Sequence, residues 1–163
     1  MLLFILGHAP WSQHNVYRQI HMLMMCSKKD VGAFEFTKKL EEKFNIYLPE
    51  AKAKVARAPH IERIFNLLKT DQIPLAVLSY NLIHDLIESN QEYRAFFVNQ
   101  TKLIFPFSEM VLISNREFPS EKSKIIFDAL IKVSQDTDDS SLKISYNDKF
   151  LINFDQNINY RNH

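Results

Sequence analysis

Glycine is almost missing from this chain: Gly7 and Gly32 are the only two in 163 residues. A phosphate-cradling P-loop and a dinucleotide-binding GxGxxG turn both need several glycines, so neither can be built here. Cysteine is scarcer still. Cys26 stands alone, which excludes a disulfide within the chain and any multi-cysteine metal site. The six histidines, at 8, 14, 21, 60, 84 and 163, never fall into HxH or HExxH spacing, and no metal site is expected. A run of roughly 20 apolar residues, enough to cross a bilayer, occurs nowhere. Charge of one sign is also lacking. Twenty Lys and Arg stand against nineteen Asp and Glu for a formal net charge of +1, whereas a general nucleic-acid binder carries a dominant basic excess.

What is present suits one soluble α/β unit. Apolar residues make up 46% and charged residues 24%, an ordinary globular balance, and the length allows a sizeable core. The opening MLLFILGHAPW has an apolar run too short, and no preceding basic residue, for a secretory signal. As written the chain is expected to be cytoplasmic, and periplasmic if translation starts upstream. The division expected is a single domain, 1–163: a lead-in segment 1–19 with Trp11 as a packing anchor, an α/β lobe 20–134, and an acidic loop plus C-terminal hairpin or tail over 135–163.

Short apolar runs at 20–26, 51–57 and 73–79 read as strands. Between them lie two stretches with helical spacing, one through Val31, Ala33, Phe36, Leu40 and Phe44, the other through Ile61, Ile64, Phe65 and Leu68. Strand, helix, strand, helix, strand implies parallel strands joined by right-handed crossovers, with 20–26 in the middle. A third helix follows through Leu82, Ile83, Leu86 and Ile87, with His84 at its surface or boundary. KLIFPF and MVLIS then read as strands, Pro106 favouring an edge or a bend. Ser120, after Pro119, is the expected N-cap of a last helix with Ile125, Ile126, Ala129, Leu130 and Val133 on its core face. SQDTDDSS, 134–141, is expected to be a solvated acidic loop, and LKISY with KFLINF a C-terminal hairpin turned at Asn147-Asp148. The fold class is thus a single open, mostly parallel, three-layer α/β sheet.

In such sheets ligands bind beyond the carboxyl ends of the strands. Three strands end at Cys26-Ser27, at Arg57 to His60, and at Ser79-Tyr80, so Ser27, Lys28, Lys29, Arg57, His60, Ser79 and Tyr80 are expected on one rim beside helix N-termini. Cations, hydroxyls and helix dipoles together suit a carboxylate or a phosphate. Cys26 offers a rival chemistry. A thiol between a first strand and a helix is where phosphotransferase-system B components and some phosphatases carry a phosphocysteine, and lysines with a helix dipole would lower its pKa. Those enzymes wrap the phosphate in small residues, whereas Lys28-Lys29-Asp30 is bulky, and a lone strand cysteine is usually a small buried hydrophobe.

The stretch from His21 to Ser79, with Gly32-Ala33-Phe34 and YLPEAKAKVARAPHIERIFNLLKTDQIPLAVLS, resembles the first lobe of the type II periplasmic solute-binding proteins, especially the TAXI receptors of TRAP transporters. VLISNREFPSEKSKIIFDALIK, Val111 to Lys132, is similar to that family's returning strand and helix. Three departures stand out: Lys28, Lys29 and Asp30 replace small turn residues, Pro59-His60 replace a Gly-Ser type turn, and the short stretch between Ser79 and Met110 leaves no room for a second lobe. The resemblance implies a non-enzymatic, solute-binding module of one lobe that recognises a small organic anion or a protein partner in transport or sensing. Its implied partners are a small carboxylate or phosphate and TRAP membrane subunits or another protein, with no nucleic acid, no membrane insertion and no cofactor. The alternatives are cysteine-dependent phosphoryl transfer through Cys26, or an interaction domain that has lost its ligand.

Overall fold

Five strands form one sheet in the order β2-β1-β3-β5-β4, in a computed structural model that describes residues 20–146. The strands are β1 (Leu23–Ser27), β2 (Lys54–Ala58), β3 (Leu75–Ser79), β4 (Thr101–Pro106) and β5 (Met110–Asn115). Four helices lie between the strands, α1 (Ala33–Tyr47), α2 (Ile61–Lys69), α3 (Tyr80–Ser89) and α4 (Gln91–Gln100), and α5 (Ser120–Asp136) follows β5. β1 pairs in parallel with both β2 and β3, while β5 runs antiparallel to β3 and to β4. Four strands therefore point one way and β5 the other. The parallel β2-β1-β3 core with β1 at its centre is the arrangement the strand-helix alternation implies.

Side-chain alternation sorts the sheet into two faces. Met24, Cys26, Leu75, Val77 and Leu112 turn toward α1 and α5. Met25, Ala76, Leu78, Val111 and Ile113 turn toward the side of α2, α3 and α4. Helices on both faces of one sheet make three layers. In β4 the register slips between Leu103 and Phe105, so Leu103 faces one core while Ile104 and Phe105 both face the other. This bulge bends the strand where it lies at the sheet's edge, and Pro106 closes it without interrupting a central ladder.

Several sequence expectations are corrected. Each of the three parallel strands begins two or three residues later than expected, and β1 and β2 also end one residue later. Val31 and Ile125 were expected on core faces, yet they are 93% and 53% exposed. Val31 lies in the turn before α1, and Ile125 stands on the outer flank of α5. The N-cap of α5 is Pro119 and not Ser120; Ser123 N–H and Oγ–H both donate to the Pro119 carbonyl, at 2.9 and 3.1 Å. The supposed acidic loop begins inside a helix, since α5 runs to Asp136 and both Ser134 and Thr137 are buried. LKISY does not wait for KFLINF to find a partner: Ile144 forms an antiparallel bridge with Phe107, and Ser145 N–H donates to the Pro106 carbonyl at 3.1 Å. The lead-in segment with Trp11, and KFLINF itself, lie outside the described residues.

α4 is an addition, since its sequence QEYRAFFVNQ gives no clear apolar stripe. Asn90 starts it by accepting a hydrogen bond from Glu92 N–H at 2.8 Å. Phe96 and Phe97 then pack on Phe65 of α2, with ring centroids 4.4 and 5.3 Å away.

Candidate functional site

The rim at the carboxyl ends of β1, β2 and β3 is built around a tight, hydrogen-bonded turn. Lys28 N–H donates to the Ala58 carbonyl at 2.8 Å, continuing the β1–β2 ladder one residue past the strand. Ser27 Oγ accepts from Lys29 N–H at 3.2 Å. Asp30 N–H donates to the Ser27 carbonyl and Ala33 N–H to the Asp30 carbonyl. Gly32, with φ 81°, then turns the chain into α1. A Cβ there would meet only an ordinary contact, Met110 Cε at 3.8 Å, so the left-handed backbone and not lack of space calls for glycine.

This turn places the seven expected residues on one edge but gives them different surroundings. Ser27 is only 2% exposed, and Ser79 and Tyr80 are buried too. Lys28, Lys29, Arg57 and His60 face solvent. His60 N-caps α2 with extended backbone and no side-chain cap. The Arg57 Cζ lies 4.2 Å from the centroid of the Phe34 ring, a cation–π contact that ties the guanidinium to the start of α1. Among the described residues, no carboxylate forms an ion pair with Lys28, Lys29 or Arg57.

Asp30 is the residue sequence reasoning missed. It lies between those lysines and the apolar turn, yet its side chain goes inward and only 7% of the residue is exposed. Its Oδ2 accepts from Ser79 N–H at 2.8 Å and its Oδ1 from the Ser79 hydroxyl at 2.6 Å. Ser79 Oγ in turn accepts from Leu82 N–H at 3.1 Å, capping α3. The partners are forty-nine positions apart, and no local pattern announces such a pairing. The one signal was an acidic residue in a turn that must pack beside the end of a neighbouring parallel strand.

Burial also governs the remaining reactive groups. It pushes the Cys26 thiol above its ordinary pKa, outweighing a hydrogen bond from Thr37; nearby Asp30 adds to the rise and Arg57 opposes it. Cys26 is fully buried, its Sγ 3.8 Å from the Ala56 carbonyl. The Tyr80 hydroxyl is pushed up to about 12 by burial. Among the described residues, no cluster of His, Cys, Asp and Glu could hold a metal ion, and no helix is long and apolar enough to cross a membrane. No protein-family model matches this chain, and neither does any curated protein or solved structure.

Proposed function

We propose that this chain is a non-catalytic recognition domain whose carboxyl-edge rim binds the carboxylate or phosphate of a small organic anion through Lys28, Lys29 and Arg57. One observation carries the reading. Three cations crowd one rim with no ion-pair partner among the described residues, while the acid next to Lys29 in the chain, Asp30, is turned inward onto Ser79. Arg57 is the strongest contact, since its guanidinium is already oriented by Phe34 and can grip two oxygens at once. The start of α2, whose N-cap His60 makes no side-chain cap bond, adds partial positive charge beside it.

The rim is open to water, so each charged contact contributes about 0.3–1 kcal/mol. Several together correspond to weak binding, on the order of micromolar to millimolar. The nearly full exposure of Val31 on the same turn favours a second reading, in which the anion is displayed by a protein partner with an apolar neighbour. The resemblance to type II solute-binding proteins supports a setting in transport or sensing for either. An amide NMR titration with dicarboxylates, acidic amino acids and phosphate esters tests the first reading: Lys28, Lys29 and Arg57 amides should shift in wild type, and Arg57→Ala should weaken binding most. If no rim amide moves with any of them, the small-anion reading fails and the protein-partner reading takes its place.

A further inference from the structure

The head of α3 already holds an anion, and that anion belongs to the chain. Asp30 brings two carboxylate oxygens to two donors, Ser79 N–H at 2.8 Å and Ser79 Oγ–H at 2.6 Å. These are the lengths of charge-assisted hydrogen bonds. A backbone amide and a hydroxyl at the start of a ten-residue helix are the donors that would recognise the carboxylate of an external ligand. We infer that Asp30 is a built-in occupant of this position, a specificity-determining residue that excludes external anions from Ser79 and confines them to the Lys28, Lys29 and Arg57 side of the rim.

Three features of the turn support this assignment. The Ser79 hydroxyl has no donor left over, because its single proton goes to Asp30 while its oxygen accepts from Leu82 N–H. Asp30 comes from the same turn as Lys28 and Lys29, and its backbone is bonded at both N–H and carbonyl. The backbone that aims the carboxylate at Ser79 is therefore held in the same bonded turn that carries the two lysines. Asp30 is 7% exposed with its carboxylate turned onto Ser79, and among the described residues it forms no ion pair with Lys28 or Lys29, so their ammonium groups stay available at the surface. The confinement of the ligand to the lysine side rests on the function proposed above; the occupancy of Ser79 does not.

Truncation separates the two parts. Asp30→Ala removes a carboxylate and leaves a space of about its size against the Ser79 donors. Formate added to that variant should raise its unfolding midpoint by about 2–4 °C at concentrations several-fold above the dissociation constant, and should shift the Ser79 amide. Wild type should show neither effect. Equal responses in both proteins, or none in either, would overturn the occupancy. Should Asp30→Ala fail to fold, Asp30→Asn keeps the volume, and inorganic phosphate should then leave the Ser79 amide unmoved in both wild type and variant. A phosphate-dependent shift at Ser79 in either would overturn the inference. Absence of phosphate shifts at Lys28, Lys29 and Arg57 in wild type would instead count against the rim as a binding site, leaving the formate result intact.

Discussion

Glu41, on α1, reaches the outer side of the sheet and accepts a hydrogen bond from the backbone N–H of Val55 at 2.9 Å. Val55 lies in β2, an edge strand. The parallel register with β1 sends alternate β2 amides inward: Lys54 N–H donates to the Met22 carbonyl, so Val55 N–H points away. A carboxylate thus stands where a neighbouring strand's carbonyl would. Its other oxygen, Oε1, lies 3.4 Å from Lys54 Nζ, and Lys38 Nζ lies 3.6 Å from the Oε2 that accepts from Val55.

An open edge amide is a template for pairing with another chain. Glu41→Ala should therefore lose about 1–3 kcal/mol of stability by leaving a part-buried donor unpaired, and should increase self-association at high concentration. Glu41→Gln keeps an acceptor for Val55 and should lose less. Denaturant midpoints and sedimentation velocity check both parts. A Glu41→Ala protein as stable and as monomeric as wild type would show that Glu41 does not guard the edge.

Two residues of α1 separate core from surface. Phe44 is fully buried beneath the helix and Ile46, two positions on, is 68% exposed. Phe44→Ala should cost about 3–5 kcal/mol through lost burial and the cavity left behind. Ile46→Ala should stay within about 0.5 kcal/mol of wild type. Chemical denaturation of the two variants side by side measures the contrast, and comparable losses would mean that α1 docks with a different face.

The contrast between these residues also shows what could be read from the chain. Phe36, Leu40 and Phe44 announce a helix face because the 3.6-residue period is local, and IPLAVLS announces a strand because burial on both faces leaves an unbroken apolar run. The sheet order of the first three strands follows from chain connectivity and handedness. The place of β5 between β3 and β4 does not, since a hairpin leaves open which of its strands meets the sheet. For the rim, topology alone gathered Lys28, Lys29, Arg57 and His60 on one edge. It could not show that Asp30 turns inward or that Arg57 lies on Phe34, because both depend on side chains meeting across distant segments. α4 escaped notice because adjacent Phe96 and Phe97 blur a helical period that only their packing on Phe65 explains.

Acid should expose one small, specific contribution. Asp139 receives hydrogen bonds from Lys39 Nζ at 2.8 Å and from Ser141 Oγ and N–H at 2.6 and 2.9 Å. The Lys39 bond first, then those from Ser141, hold its carboxyl down to about 2. A folded-state value below the unfolded one means the stabilisation is present above the unfolded value, near 4, and lost as pH falls toward 2. Asp139→Asn should therefore be slightly less stable than wild type at neutral pH, with the difference closing between about pH 4 and 2. The effect is modest because the group is partly open to solvent, its side chain 34% exposed. Stability curves that run parallel through this window would contradict the assignment.

The thiol of Cys26 decides the remaining rivalry, between recognition and cysteine-dependent phosphoryl transfer. A nucleophilic cysteine is partly exposed and held as thiolate by nearby positive charge. Cys26 has the opposite surroundings: it is fully buried on β1, next to Leu75, Val77 and Phe36 in the same core. Burial raises its pKa, and the opposing influences of Thr37 and Arg57 do not reverse that. Because the folded value lies above the unfolded one, the neutral thiol's contribution is complete at neutral pH and is lost only as the solution becomes alkaline past the unfolded value. Native protein at neutral pH should therefore react with iodoacetamide far more slowly than the same protein in denaturant, and Cys26→Ala should leave anion titration of the rim unchanged. Alkylation of the folded protein as fast as that of the unfolded chain, together with loss of phosphate binding in Cys26→Ala, would instead make the thiol a working nucleophile and revive phosphoryl transfer.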